Sequence, residues 1–191
     1  MIRVFEPAHA DNFFEYGYLL ANPDVEKSTK KYGHTGRYHY DRFGFRENRR
    51  QLTRDFVGSP ERRRHKYRRF HDLLLPETSF SWIEEEEEFP VSSSAASFSK
   101  EDYARGESAN GGLSDFLTDL ALHPDKHFVD IGCGLRDVIY DNCLYIEVYP
   151  SICADLIVEP NCRYPLKDCS FDGVSCGAVL EHVTKPWIVV D

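Results

Sequence analysis

The sequence predicts an α/β protein in which a small all-α N-terminal module precedes an incomplete, mostly parallel sheet at the C-terminus. Three observations carry this. Residues 10–75 place aromatic and leucine side chains at helical spacing between helix-start and helix-stop residues. Residues 113–191 instead alternate short apolar runs with turns, and the charge changes sign between the two halves. Residues 1–75 carry 16 Lys+Arg against 10 Asp+Glu and residues 76–191 carry 7 against 22, which is +6 and −15 within a net charge of −9. The chain accordingly divides into a helical module over 1–75, a linker with acidic and Ser/Ala stretches over 76–112, and an α/β region over 113–191. A negative C-terminal region disfavours contact with nucleic-acid phosphates.

No apolar run approaches the roughly 18 residues that a membrane-crossing helix needs, and residues 1–11 lack the charged and apolar parts of a signal peptide. A soluble, cytoplasmic chain with no membrane partner is the expectation. The six cysteines (Cys133, Cys143, Cys153, Cys162, Cys169, Cys176) form no C-x-x-C pair, so free thiols and no bound metal are expected.

In the module, Phe13, Phe14, Tyr16, Leu19 and Leu20 define one face of a helix over residues 10–21. Asn22-Pro23-Asp24 restarts the chain, because Asn is a good N-cap and Pro is preorganised for the first helical position. The second helix runs to about Lys31 and stops at Gly33, Thr35 caps a third, and Tyr38, Tyr40 and Phe43 supply aromatic packing before Gly44. The strings Tyr18-Leu19-Leu20-Ala21-Asn22-Pro23-Asp24-Val25 and His39-Tyr40-Asp41-Arg42-Phe43-Gly44-Phe45-Arg46-Glu47-Asn48-Arg49 resemble a short NPDV-type module of bacterial glycan-related proteins. Those residues read as caps and a mini-core rather than as a catalytic site.

A further helix over 60–75 carries Arg62, Arg63, Arg64, Lys66, Arg68 and Arg69 around Tyr67, Phe70, Leu73 and Leu74. With no nucleic-acid motif beside them, these cations read as a solvated face, able to oppose the Glu84–Glu88 run, in preference to an anion-binding patch. Pro76 ends the helix, and residues 84–112 have linker composition.

From Leu113, an amphipathic helix ended by Pro124 leads into a strand over 127–131 and the turn Gly132-Cys133-Gly134. Glycines there permit positive φ and close approach of a ligand, and Asp130 can accept a hydrogen bond from an ammonium group. A second strand over 143–148 places Glu147 near its tip, where a carboxylate can take both hydroxyls of a ribose. Strands over 154–158 and 172–176 follow, then Ala178-Val179-Leu180-Glu181-His182-Val183.

The ordered strings Val129-Asp130-Ile131-Gly132-Cys133-Gly134, Tyr164-Pro165-Leu166-Lys167-Asp168-Cys169-Ser170-Phe171-Asp172-Gly173-Val174 and Ala178-Val179-Leu180-Glu181-His182-Val183 resemble class I S-adenosylmethionine-dependent methyltransferases of the type 11-like kind. The resemblance covers about residues 113–191 and implies a partial Rossmann-like sheet, truncated after the fourth strand, with S-adenosylmethionine as cofactor. By that resemblance Asp130, Gly132, Cys133 and Gly134 line the methionine end, Glu147 holds the ribose, Asn161 and Cys162 approach the adenine, and Gly177 flanks the methionine. His182 lies on the acceptor side, as the one nearby side chain suited to general-base work at neutral pH. The implied acceptor is glycan-related or another small molecule. A nicotinamide dinucleotide is disfavoured because Leu135 and Arg136 follow Gly134 without a third glycine at G-x-G-x-x-G spacing. Two departures stand out: 12 residues between Gly134 and Glu147 are too few for a crossover helix with its loops, and the family pattern continues through three more strands. The alternative expectation is a non-catalytic interaction protein with a remnant cofactor-binding half-domain.

Overall fold

The computed structural model describes residues 1–57, 60–76, 80–82, 91–93, 113–149 and 151–190, with backbone alone for 60–63, 81–82 and 91–93. The chain forms two compact units, Ile2–Ser59 and Pro60–Asp191, with Met1 assigned to the second.

The first unit contains β1 (Ile2–Arg3), β2 (Phe5–Pro7), α1 (Glu15–Ala21), α2 (Pro23–Tyr32), α3 (Gly36–His39), a π-turn over Tyr40–Gly44, β3 (Arg50–Leu52) and α4 (Arg54–Val57). Helices α1 to α3 match the sequence expectation; the π-turn, α4 and the short strands are additions to it, and β2 and β3 pair antiparallel, Phe5 opposite Leu52 and Pro7 opposite Arg50. Helix α1 starts at Glu15 rather than near residue 10 because side chains hold the preceding segment in turns. Asn12 accepts from the His9 N–H (2.7 Å) and donates to the Pro7 carbonyl (3.0 Å), while the buried Gln51 accepts from the Phe14 N–H (2.9 Å). Glu15 then caps α3 from a distance, taking the N–H groups of Gly36 and Arg37 at 2.6 and 2.9 Å.

Residues within 18–25 and 39–49 are held by one another. Tyr18 is buried and its hydroxyl lies 3.1 Å from His39 Nδ1. Gly44 lies against that hydroxyl so closely that any Cβ would collide with it. Asn22 does not cap α2 with its side chain; its amide instead donates to the carbonyls of Tyr18 and Arg50, both at 2.8 Å. Arg49 forks onto Asp24 (3.1 and 2.8 Å) and also reaches Glu47 (2.7 Å). Gly33, at φ 72°, ends α2, and Thr35 accepts from the Tyr38 N–H, as expected.

The second unit comprises α5 (Pro60–His71), β4 (Phe80–Trp82), β5 (Val91–Ser93), α6 (Ser114–Leu122), β6 (Phe128–Ile131), β7 (Val138–Ile139), β8 (Cys143–Glu147), β9 (Leu156–Ile157), β10 (Gly173–Cys176), a 3-10 turn over Leu180–His182 and α7 (Pro186–Val190). A six-stranded sheet has the order β10-β6-β8-β9-β5-β4, parallel throughout except at β4. The four strands read from the apolar runs are therefore adjacent and parallel, as a partial Rossmann-like α/β sheet requires. Residues 80–82 and 91–93, inside the sequence-predicted linker, extend that sheet. The remaining linker positions 77–79, 83–90 and 94–112, with the Glu84–Glu88 run, lie outside the described residues.

Although the sequence grouped residues 60–75 with the module, Phe70 and Leu74 belong to the sheet's core with Val129, Ile131, Leu144, Ile146, Leu156 and Val158. Lys66 departs from the solvated-face reading. It is 1% exposed, with Nζ 2.6 Å from Asp155 Oδ2 and 4.2 Å from the centroid of the Tyr145 ring. Its approach to Asp155 lacks hydrogen-bond alignment, so the contact is mainly charge on charge. Asn142 ends α6, donating to the carbonyls of Leu120 and His123 at 3.0 and 2.9 Å.

Candidate functional site

Strand β6 leads straight into the glycine turn, and the turn is bonded to the end of the neighbouring strand. The N–H groups of Gly132 and Cys133 both donate to the Ile146 carbonyl, at 2.9 and 3.1 Å. Gly132 and Gly134 take φ values of 68° and 51°, the left-handed region where a side chain is strained. The Gly134 N–H donates to Glu147 Oε2 at 2.9 Å, and the Val148 N–H to Glu147 Oε1 at 2.8 Å. Glu147 thus sits at the tip of β8, half-buried, with one backbone donor on each carboxylate oxygen.

On the other side of β6 lies β10, in register Cys176 opposite Ile131. The chain passes from β6 to β8 and β9 in one direction and returns to place β10 in the other. The carboxyl ends of β6 and β10 therefore flank a topological switch point, the position at which open α/β sheets form a ligand crevice. Gly132 and Gly177 both leave the sheet at that edge. A Cβ at Gly177 would meet no atom within 4 Å, whereas at Gly132 it would collide with Val179 Cγ2. Val179 covers the glycine turn.

Asp130, read from the sequence as an acceptor for an ammonium group, is paired within the protein. Arg136 donates to it in fork geometry, Nε to Oδ2 at 2.8 Å and Nη2 to Oδ1 at 3.1 Å, and Asp130 and Arg136 are only 1% and 2% exposed. Burial alone would lower the Arg136 pKa; the Asp130 hydrogen bonds and charge outweigh it and raise the pKa. Cys133 is fully buried, and burial pushes its thiol well above the ordinary range. Its side chain points to the Gly134 carbonyl (3.7 Å).

Asn161, at φ 61°, uses its Oδ1 to accept from the Thr184 N–H (2.7 Å), the Thr184 hydroxyl (3.1 Å) and the Lys185 N–H (3.3 Å). It clips the segment before α7 to the loop after β9, and its amide N–H groups donate to no described residue. Cys162 is half-buried against the core, and burial raises its pKa. His182 is exposed on the 3-10 turn that begins one residue after Val179.

The link between β6 and β8 over residues 132–142 contains only β7 and no helix, in keeping with its shortness. Sequence reasoning missed Arg136 and Val179. The signal for Arg136 was the absence of a crossover helix, which leaves a cation six positions beyond Asp130 free to fold back on it. It also missed a cleft of about 340 Å³ on the sheet face opposite Asp130, lined by Val129, Ile131, Tyr164, Phe171, Val174 and Cys176 among others. All six cysteines are free, and among the described residues no group of three or more His, Cys, Asp or Glu could hold a metal ion. No helix among them is long and apolar enough to cross a membrane. No protein-family model, curated protein or solved structure matches the chain.

Proposed function

We propose that the second unit is the cofactor-binding part of an S-adenosylmethionine-dependent methyltransferase acting on a small-molecule or glycan-related acceptor. The observation that supports it most is the half-buried Glu147 carboxylate, bonded to the glycine turn beside a topological switch point. Each of its oxygens accepts one backbone N–H and keeps a lone pair for a ribose hydroxyl. In this reading the amide of Asn161 donates to the adenine beside Cys162, and Gly132, Cys133, Gly134 and Gly177 shape the floor. Asp130 fixes that floor through Arg136. His182, exposed at the same edge, takes a proton from the acceptor. The cofactor supplies an electrophilic methyl on a sulfonium; the protein contributes orientation and exclusion of water. A reducing, cytoplasmic compartment suits the six free thiols.

Titration calorimetry with S-adenosylmethionine and S-adenosylhomocysteine tests the reading. Hydrogen bonds to a charged group contribute about 1.5–3 kcal/mol, so Glu147→Ala is expected to weaken binding by about tenfold or more. Glu181→Ala, at an exposed position beside His182, is expected to leave it unchanged. Binding by Glu147→Ala within a factor of about two of wild type, on the same scale, would remove Glu147 from the ribose site. The second reading, a remnant cofactor fold serving as an interaction scaffold, is favoured by Val179 over Gly132 and by the internal pairing of Asp130. A folded chain that binds neither compound decides for it.

A further inference from the structure

Resting on the nucleotide-site reading above, we infer that this site recognises the nucleoside end of its ligand and not the charged amino-acid tail, so that 5′-thioadenosines with and without that tail bind alike. The two ends of the crevice are built differently. At the nucleoside end, Glu147 is half-buried with lone pairs to spare, and the Asn161 amide donates to no described residue. At the other end, the carboxylate that would receive an α-ammonium is 1% exposed and its charge is already neutralised by Arg136, which donates to both of its oxygens. The guanidinium stands where a ligand cation would have to stand, and it is itself too buried to meet a ligand carboxylate. Val179 adds a steric barrier, because its Cγ2 occupies the approach over Gly132 that a glycine there would otherwise leave to a ligand chain.

The pair is also hard to open. Displacing Arg136 would strand two opposite charges in a region that excludes water, and a buried ion pair with one partner removed is strongly destabilised. The short helix-free link after Gly134 brings Arg136 back onto β6, and its backbone N–H is held by Cys153 Sγ at 3.3 Å. The closed end is thus part of the folded floor.

The test compares ligands on the unmodified protein: 5′-methylthioadenosine, which keeps the ribose diol and loses the aminocarboxypropyl tail, against S-adenosylhomocysteine, with 2′,3′-dideoxy-5′-methylthioadenosine as the diol-free control. Expected are dissociation constants for the two thioadenosines within about threefold, where a used ammonium–carboxylate bond would separate them by about tenfold or more. The dideoxy compound is expected to bind at least about tenfold more weakly than 5′-methylthioadenosine, on the same basis. Val179→Ala, which removes the steric obstruction and leaves Asp130 and Arg136 paired, is expected to keep the two thioadenosines within about threefold of each other; a gain of about tenfold for S-adenosylhomocysteine in that variant would show that Val179 and not the ion pair closes this end. Binding of S-adenosylhomocysteine about tenfold or more tighter than 5′-methylthioadenosine on the wild-type chain would overturn this inference and leave the nucleotide site standing. Equal binding of the dideoxy compound, or no binding of any of the three, would overturn both.

Discussion

Replacing Lys66 by Met should destabilise the second unit by about 3–5 kcal/mol, the range for a buried pair that loses one partner. The ammonium is 1% exposed and lies 2.6 Å from Asp155, itself 6% exposed. Without it, the Asp155 side chain keeps one donor among the described residues, the Tyr145 N–H at 3.0 Å, and its carboxylate is buried without its counter-charge. Against a typical domain stability of about 5–15 kcal/mol, that is a large share. Asp155→Asn alone leaves a buried ammonium over the Tyr145 ring and should cost a similar amount. The double variant Lys66→Met/Asp155→Asn should cost less than the two singles together by about 2 kcal/mol or more, because neither charge then remains, and the amide oxygen still accepts from Tyr145. Urea denaturation followed by far-ultraviolet circular dichroism reads all four proteins. A loss below about 1 kcal/mol for Lys66→Met, or single effects that add to within about 0.5 kcal/mol, would refute the buried-pair reasoning.

Three further outcomes follow from the same geometry. Gly44→Ala should cost the first unit about 1–3 kcal/mol, since the new methyl meets the Tyr18 hydroxyl, and Tyr18→Phe in that background should recover part of the loss in thermal melts. Burial lowers the His39 pKa below its ordinary 6.5, so the folded state favours neutral imidazole. Its contribution is complete above pH 6.5 and lost as pH falls through the lowered value. Asp24 adds a second loss below its ordinary 3.8, its own burial being outweighed by the hydrogen bonds and charge of Arg49. Melting curves from pH 8 to 3 should show both declines, and His39→Gln should flatten the first. In native thiol titration, exposed Cys169 and Cys176 should react first, Cys162 more slowly, and buried Cys133, Cys143 and Cys153 only after denaturation. Rapid modification of all six in the native protein would contradict that burial.

The four parallel strands were legible because each is a short apolar run closed by a turn, and buried parallel strands have that composition. Gly132-Cys133-Gly134 and Glu147 were legible as a turn and a strand-tip acid for the same local reason. Phe5–Pro7 and Arg50–Leu52 were not, since three residues are too few to display a period and their pairing joins positions far apart in the chain. Lys66, embedded among arginines, carries no local mark of burial; its partner Asp155 becomes visible only once α5 packs on the sheet. The Asp130–Arg136 pair was hidden similarly, because no helix or strand spacing brings positions six apart across a glycine turn into contact. Asn22 has the composition of a cap, but the nearby Tyr18 and Arg50 carbonyls compete for its amide and win.

The helix-free link between β6 and β8 also bears on the order in which the sheet assembles. Phe128 pairs with Cys143, 15 positions away, whereas its other partner, Gly173, is 45 positions away. Loop-closure entropy rises with the logarithm of length, so the near pairing is favoured by about 1 kcal/mol before any side chain packs. The glycine turn and Glu147 are then brought together early, by a local event, and β10 docks later to create the second wall of the crevice. Stopped-flow refolding should register this as a division of labour: truncating Leu144 in β8 slows folding, while a substitution at Ser175 in β10 chiefly accelerates unfolding. A chain caught between these steps would hold a formed glycine turn with no crevice beside it.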